Sequence, residues 1–306
     1  MIYDVIIIGA GPAGLAAGIY GKRAGFSTLI LDTSSISGGQ ILNTYEIDNY
    51  PGIPGSSGEG LAEAMRQHCD KLGVEFARGR VSSIKDNEGV KELTTKKETF
   101  YAKAVVIATG AQSKKLGCPG EDELSGVGVS YCATCDGAFF KDKVVAVVGG
   151  GDVALEDALY LSRFCTRVHL IHRRDEFRGA QVLQEQVKNN DKIDIIYDTV
   201  VEAIIGKDYV DALQIKNVKT LQTRNIAVDG IFIAVGTEPN TGKIEGLPEL
   251  DSKGYIIADE TCTTSIQGIY AAGDVRTKQL RQVITATADG ANAITSIQKY
   301  FQTSNY

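Results

Sequence analysis

Val5–Ile8 is an unbroken β-branched run, the pattern of a strand buried on both faces. A glycine-rich break follows at Gly9–Gly14, then small and apolar residues at helical spacing from Leu15 to Ala24. A second apolar run, Thr28–Leu31, ends on Asp32. The succession returns further along: strand Val144–Val148, break Gly149–Ala154, helix Glu156–Phe164 and strand Arg167–Ile171. Two such βαβ units predict an α/β protein with two Rossmann-like dinucleotide-binding domains. Three other apolar runs end in small-residue turns: Val105–Ala111 through Gly110, Gly230–Asn240, and Gly268–Val275 through Asp274. The stretch after Arg281-Gln282 opens a long helix.

The two breaks carry the first chemistry. In Gly9-Ala10-Gly11-Pro12-Ala13-Gly14, Gly9 allows the tight turn and Gly11 lets a pyrophosphate approach the backbone. Gly14 allows close packing of helix on strand, and the helix N-terminus offers amide donors. Asp32 suits a ribose diol, so this first site takes NAD or FAD; the turns at Gly110 and Asp274 favour FAD. In the second unit Gly149, Gly151 and Asp152 form the turn, with Ala154 in the close-packing position. Setting Gly9 on Gly149 puts His172 where Asp32 stands, followed by Arg173, Arg174 and, a helical turn on, Arg178. Guanidinium groups match phosphate oxygens, so this site is expected to prefer NADPH, with its 2′-phosphate, over NADH.

The order of these parts predicts an inserted domain. An FAD-binding domain spans 1–113 and 243–306, and an NADPH-binding domain spans 114–242 between its halves. The chain is expected to cross near Gln112–Leu116 and Asn240–Glu245, in the manner of a hinge.

Composition narrows the partners. The 306 residues carry a net charge of −6, which argues against a general nucleic-acid partner. The apolar run near the N-terminus has no basic flank and is broken by Gly9, Gly11, Pro12 and Gly14. It reads as neither signal peptide nor membrane span, and a cytoplasmic location is the expectation. The pair Cys132 and Cys135, in Tyr131–Phe140, has three readings: structural disulfide, half a zinc site, or redox dithiol. A reducing compartment argues against the first.

At this point the sequence resembles the low-molecular-weight NADPH-dependent thioredoxin reductases along essentially its whole length. The matching stretches are GAGPAG, GGQILNTYEIDNYPG (Gly38–Gly52), ATGA, CATCDG, GGGDVALEDA, HRRDEFR, AAGDV and Arg281-Gln282. The resemblance implies FAD contacts from Gln40, Asn49, Asp274, Arg281 and Gln282, with Val81 contributing through its backbone. It implies a homodimer, thioredoxin as the disulfide substrate, and a large rotation between a flavin-reducing and a flavin-oxidising arrangement. A related reductase serving a peroxiredoxin-linked or other thioredoxin-like carrier is the alternative. Two departures stand out: Leu280 replaces an aromatic residue, and Asp157 replaces the second of two glutamates.

The zinc reading of the pair is weak, because Cys69, Cys118, Cys165 and Cys262 are scattered singly and the chain has three histidines. No metal is expected, and the redox dithiol remains. The resemblance implies that Cys135 contacts the flavin and Cys132 attacks the substrate disulfide. Asp136 is placed to carry the thiol proton, although a turn residue before Gly137 would look the same.

Overall fold

A computed structural model describes the chain except residues 45, 46, 48 and 304–306 and the side chain of Asn43. Tyr45, Glu46 and Asp48 of the Gly38–Gly52 match thus lie outside the described residues. The chain divides into two compact units, Met1–Gln112 with Glu238–Tyr306, and Ser113–Thr237.

The outbound half of the first unit runs β1 (Ile2–Ile8), α1 (Pro12–Arg23), β2 (Thr28–Asp32), α2 (Gly58–Lys71), β3 (Glu75–Arg78), β4 (Val81–Asn87), β5 (Val90–Thr95) and β6 (Thr99–Ile107). Strands β3, β2, β1 and β6 pair in parallel, with the antiparallel β5 and β4 beyond β6. Alternation along β1 sends Val5 and Ile7 to one face of the sheet and Ile6 and Ile8 to the other, and all four are buried.

The chain leaves this unit through β7 (Ala111–Ser113). It then forms β8 (Val129–Ser130), α3 (Ala133–Asp136), β9 (Val144–Gly149), α4 (Asp152–Ser162), β10 (Arg167–Ile171), α5 (Gln181–Lys188) and β11 (Ile193–Ile196). An antiparallel sheet follows, β12 (Thr199–Gly206), β13 (Val210–Asn217) and β14 (Thr223–Ala227), then β15 (Gly230–Ala234). Strands β11, β10, β9, β15 and β8 make one parallel sheet. Its Val145 and Val147 pack on Leu155, Ala158 and Leu161 of α4, while Ala146 and Val148 pack on Ile204, Leu213 and Ile215 of the antiparallel sheet.

The return crossing lies at Thr237–Glu238, upstream of the Asn240–Glu245 connection, because β16 (Thr237–Pro239) pairs with β7. The last elements rejoin the first unit. Strand β17 (Ile269–Ala271) pairs with the C-terminal end of β6, and α6 (Val283–Thr303) lies on α1. Gly290 makes this contact possible. A Cβ there would collide with the Ala13 carbonyl and come within 2.7 Å of Ala17 N. Among the described residues no helix is long and apolar enough to cross a membrane.

Candidate active site

In the first unit β1 delivers the chain to Gly9, which adopts φ +110°, and its N–H donates to the Leu31 carbonyl at 2.8 Å. A side chain there would collide with the Ala108 carbonyl, so both backbone strain and close approach require glycine. Gly11 then caps α1 in an extended conformation, with Pro12 in the first turn and no side chain over the helix end. A Cβ built on Gly11 would find its nearest neighbour, Gly38 O, at 4.0 Å. Ala13 and Gly14 complete the open first turn, and Gly14 sits hard against Gly9 O. Asp32, at the end of β2, accepts from Ala10 N at 2.5 Å and from Ser34 N at 2.8 Å.

The other expected residues of this unit are placed as follows. Gln40 is exposed in the short helix Gly39–Asn43. Asn49 Nδ2 donates to Gln282 Oε1 at 3.0 Å, which brings these two positions together from opposite ends of the chain. Val81 is buried opposite Thr95, where β4 begins. Gly110 takes φ +70° with open space where a Cβ would be, and its carbonyl accepts from Asn240 N at 2.9 Å. Arg281 lies over the Tyr255 ring, 4.2 Å from its centroid, and reaches the Asp274 carbonyl at 3.4 Å.

Asp274 sits in a tight turn, Gly273–Val275, between β17 and α6. Its Oδ1 is buried and has no hydrogen-bond partner. Burial raises its pKa, against the opposing pull of Lys278 and Arg281. Thr109 Oγ1 is likewise buried without a partner. Beneath the turn lies a network that the sequence did not disclose. Asp289 of α6 accepts from Gly273 N, from Arg276 Nε and Nη2, and from Lys278 Nζ, at 2.8–2.9 Å. Arg276 and Asp289 are both almost fully buried. Breaking such a pair from one side costs about 3–5 kcal/mol. An Asp in a helix and an Arg in a loop ordinarily read as solvated residues, so nothing in the sequence distinguished them.

In the second unit Gly149 ends β9. A Cβ there would lie 2.6 Å from Ala154 Cβ, which shows why the close-packing residue must be small. Gly151 caps α4 with nothing within 4 Å of a built Cβ. Asp152 opens the helix and accepts from Ala180 N at 2.7 Å. Arg178 N donates to the Gly150 carbonyl at 2.7 Å, folding the basic loop back onto the turn. Arg173, Arg174 and Arg178 are exposed, and among the described residues none is held in an ion pair. His172 is placed differently. Its ring is buried against Gly150 and its Nε2 lies 3.0 Å from Glu176 O. Burial is the main cause that lowers its pKa.

The same unit holds the cysteine pair. Cys132 and Cys135 are joined by a disulfide, with Cα atoms 5.3 Å apart across the first turn of α3. Ser130, at the end of β8, receives Cys132 N at 3.1 Å and donates to Asp136 Oδ2 at 2.6 Å. Burial pushes the Asp136 carboxyl up, and the Ser130 hydrogen bond only partly opposes it. Tyr131 donates to the buried Glu121, which also accepts from Leu116 N and Gly117 N. The other cysteines differ: Cys69, Cys165 and Cys262 are buried thiols, pushed by burial to about 12, 11 and 12. Among the described residues no cluster of three or more His, Cys, Asp or Glu is arranged to hold a metal.

Residues 3–290 match the model of the pyridine nucleotide-disulphide oxidoreductases. The chain is 45% identical to the thioredoxin reductase of Listeria innocua over 98% of its own length and 94% of the relative's. It is 43% identical to that of Bacillus subtilis, over 98% and 95%. The chain belongs to the thioredoxin reductase family. The thioredoxin reductase structure from Streptococcus pyogenes superposes with a TM-score of 0.93 over 99% of each chain, at 45% identity. Membership makes the protein a flavoprotein disulfide reductase that uses FAD and NADPH.

The residues present fit both groups of this thioredoxin reductase family. The unpartnered Asp274 Oδ1 is an acceptor waiting for hydroxyl donors. Gly11 and Gly151 leave helix N-termini open to a pyrophosphate.

Proposed function

We propose that this protein reduces the disulfide of a thioredoxin with electrons from NADPH, relayed by FAD and by Cys132–Cys135. The observation that carries the reading is the Cys132–Cys135 disulfide beside a carboxyl held protonated to higher pH than usual. When bound, FAD supplies a two-electron carrier between NADPH and the disulfide. Gly9, Gly11, Pro12, Ala13 and Gly14 hold its pyrophosphate, and Asp32 its adenosine ribose. Asp274 takes ribityl hydroxyls, while Gln40, Asn49, Val81, Gly110, Arg281 and Gln282 complete the site. Gly149, Gly151, Asp152 and Ala154 form the NADPH turn. Arg173, Arg174 and Arg178 take the 2′-phosphate, and His172, whose ring packs against Gly150, shapes the turn.

Reduction converts the disulfide to a dithiol. Cys132, as the thiolate, attacks one sulfur of the substrate disulfide, and the other sulfur leaves with the electron pair. Cys135 then attacks Cys132 in the mixed disulfide, restoring the intramolecular bond and releasing the second substrate sulfur. Asp136, whose Oδ2 is held by Ser130, stores the proton that a departing thiolate needs. A homodimer accords with the family resemblance, and a cytoplasmic location with an N-terminal apolar run broken by Gly9, Gly11, Pro12 and Gly14.

The reading is tested by NADPH oxidation with purified carriers offered separately: a thioredoxin, a glutaredoxin-like protein and a peroxiredoxin. Turnover with thioredoxin, abolished in Cys132→Ser while NADPH still bleaches the flavin, is the expected result. Turnover only with another carrier would reassign the substrate, and turnover in Cys132→Ser would refute the relay.

A further inference from the structure

The network beneath Asp274 holds more than a helix in place. Gly273 and Arg276 flank Asp274, and both are tied to a single carboxylate, that of Asp289. Asp289 Oδ2 takes three donors, Gly273 N, Arg276 Nε and Lys278 Nζ, while Oδ1 takes Arg276 Nη2. Asp274 Oδ1, by contrast, is buried and has no hydrogen-bond partner among the described residues. Gly273 also fixes where the turn lies. It adopts φ +78°, and a Cβ on it would stand 2.8 Å from Ala13 Cβ in the first turn of α1.

We propose that Asp289 is a positioning residue for the flavin nucleotide: it holds the Gly273–Val275 turn so that Asp274 is aimed, unpaired, beside the N-terminus of α1. The inference rests on the reading of Asp274 as a flavin contact. The physical reason is preorganisation. An acceptor kept free of protein partners, on a backbone that cannot turn away, loses little freedom when hydroxyl groups arrive. A second carboxylate makes this possible by engaging Lys278, which would otherwise be free to turn onto Asp274. Lys278 and Arg281 already act on Asp274 through their charge, and Asp289 holds Lys278 at 2.8 Å. Without Asp289, Lys278 would be a buried cation with Asp274 within reach of its charge, whereas Arg276 would keep Glu260 at 3.1 Å. The Asp274 Oδ1 would then be occupied before the ligand came.

A mutant cycle on the holoenzyme tests this, with FAD release on dilution followed by the rise in free-flavin fluorescence. Asp274→Asn and Asp289→Asn should each speed release on the order of tenfold, and the double variant should release little faster than Asp274→Asn alone. Thermal unfolding of the same four proteins gives the structural effect separately. A purely structural role would lower the melting temperature and multiply the two release factors. Multiplied factors, or an Asp289→Asn protein that releases FAD at the unmodified rate, would overturn the inference. If Asp274→Asn itself leaves release unchanged, the reading of Asp274 fails and the inference falls with it. Should Asp289→Asn fold poorly, Asp289→Leu combined with Arg276→Met and Lys278→Met removes the three buried charges together with the Gly273 tether and carries the same cycle.

Discussion

The two nucleotide turns share one backbone plan and solve the end of the second strand in opposite ways. In the first unit the residue there is Asp32, and its carboxylate is clasped by Ala10 N. In the second it is His172, whose ring fills the space above Gly150. A Cβ on Gly150 would collide with the imidazole, whereas the first turn carries the buried Ala10 at that place. The middle residue of each turn is therefore set by the side chain across from it, small for an acid and absent for a ring. Charge is distributed differently as well. The first unit puts its anion on the strand end itself. In the second, burial disfavours the charged form of the strand-end histidine, and the cations stand in the exposed loop that follows.

Charge removal from that loop breaks the comparison most severely. Arg173→Ala with Arg174→Ala should lower kcat/KM for NADPH about 100-fold and leave NADH nearly unaffected, since two charge-assisted contacts to one phosphate are lost. Steady-state kinetics with both nucleotides checks this, and equal losses for the two would place the arginines elsewhere in the mechanism. A smaller effect sharpens the steric half of the comparison. Gly150→Ala should destabilise the second unit by about 1–3 kcal/mol and raise KM for NADPH, because the imidazole has to move. Adding His172→Ser should recover most of the loss, and denaturant unfolding of the single and double variants measures it.

The smallest predicted effect concerns the two helices. With the turns superposed, Ala17 of α1 corresponds to Asp157 of α4. Ala17 is buried beneath α6, while burial and the neighbouring Glu156 raise the Asp157 carboxyl to about 7. A folded-state pKa above the unfolded value means that the folded protein binds the extra proton, so this group favours folding at low pH. Its contribution fades as pH rises through 7. Asp157→Asn should thus be stabilising by about 2 kcal/mol at pH 8 and close to neutral near pH 4. Denaturant midpoints at the two pH values test the sign, and an equal gain at both would exclude titration of Asp157 as the cause.

Much of the fold class was legible because its strands are continuous β-branched runs and its turns are glycine-rich. Val5–Ile8 lies within β1, and Val144–Val148 within β9. Helix starts were read less well. Leu15 and Glu156 were expected to open helices that begin at Pro12 and Asp152, because the glycine motif itself forms the first turn. The antiparallel sheet of β12, β13 and β14 was not anticipated, since its strands alternate too irregularly to stand out. In the site, residue types that signal chemistry were visible, but their supports were not. Ser130 beneath the cysteine pair and Asp289 beneath Asp274 act through contacts that close only when distant segments meet. Arg, His and His-adjacent residues also look alike in sequence, and only burial separates His172 from Arg173 and Arg174.

The central claim, that electrons entering from NADPH reach the Cys132–Cys135 disulfide through FAD, is tested most directly by anaerobic titration with NADPH. Flavin absorbance and free thiols are followed in the unmodified protein and in Cys135→Ser. Two redox couples in series, each carrying two electrons, predict about two equivalents of NADPH taken up per chain and the appearance of two new thiols. Cys135→Ser should take up about one equivalent, with its flavin bleached. An unmodified protein that bleaches with about one equivalent and gains no thiols would contradict the account.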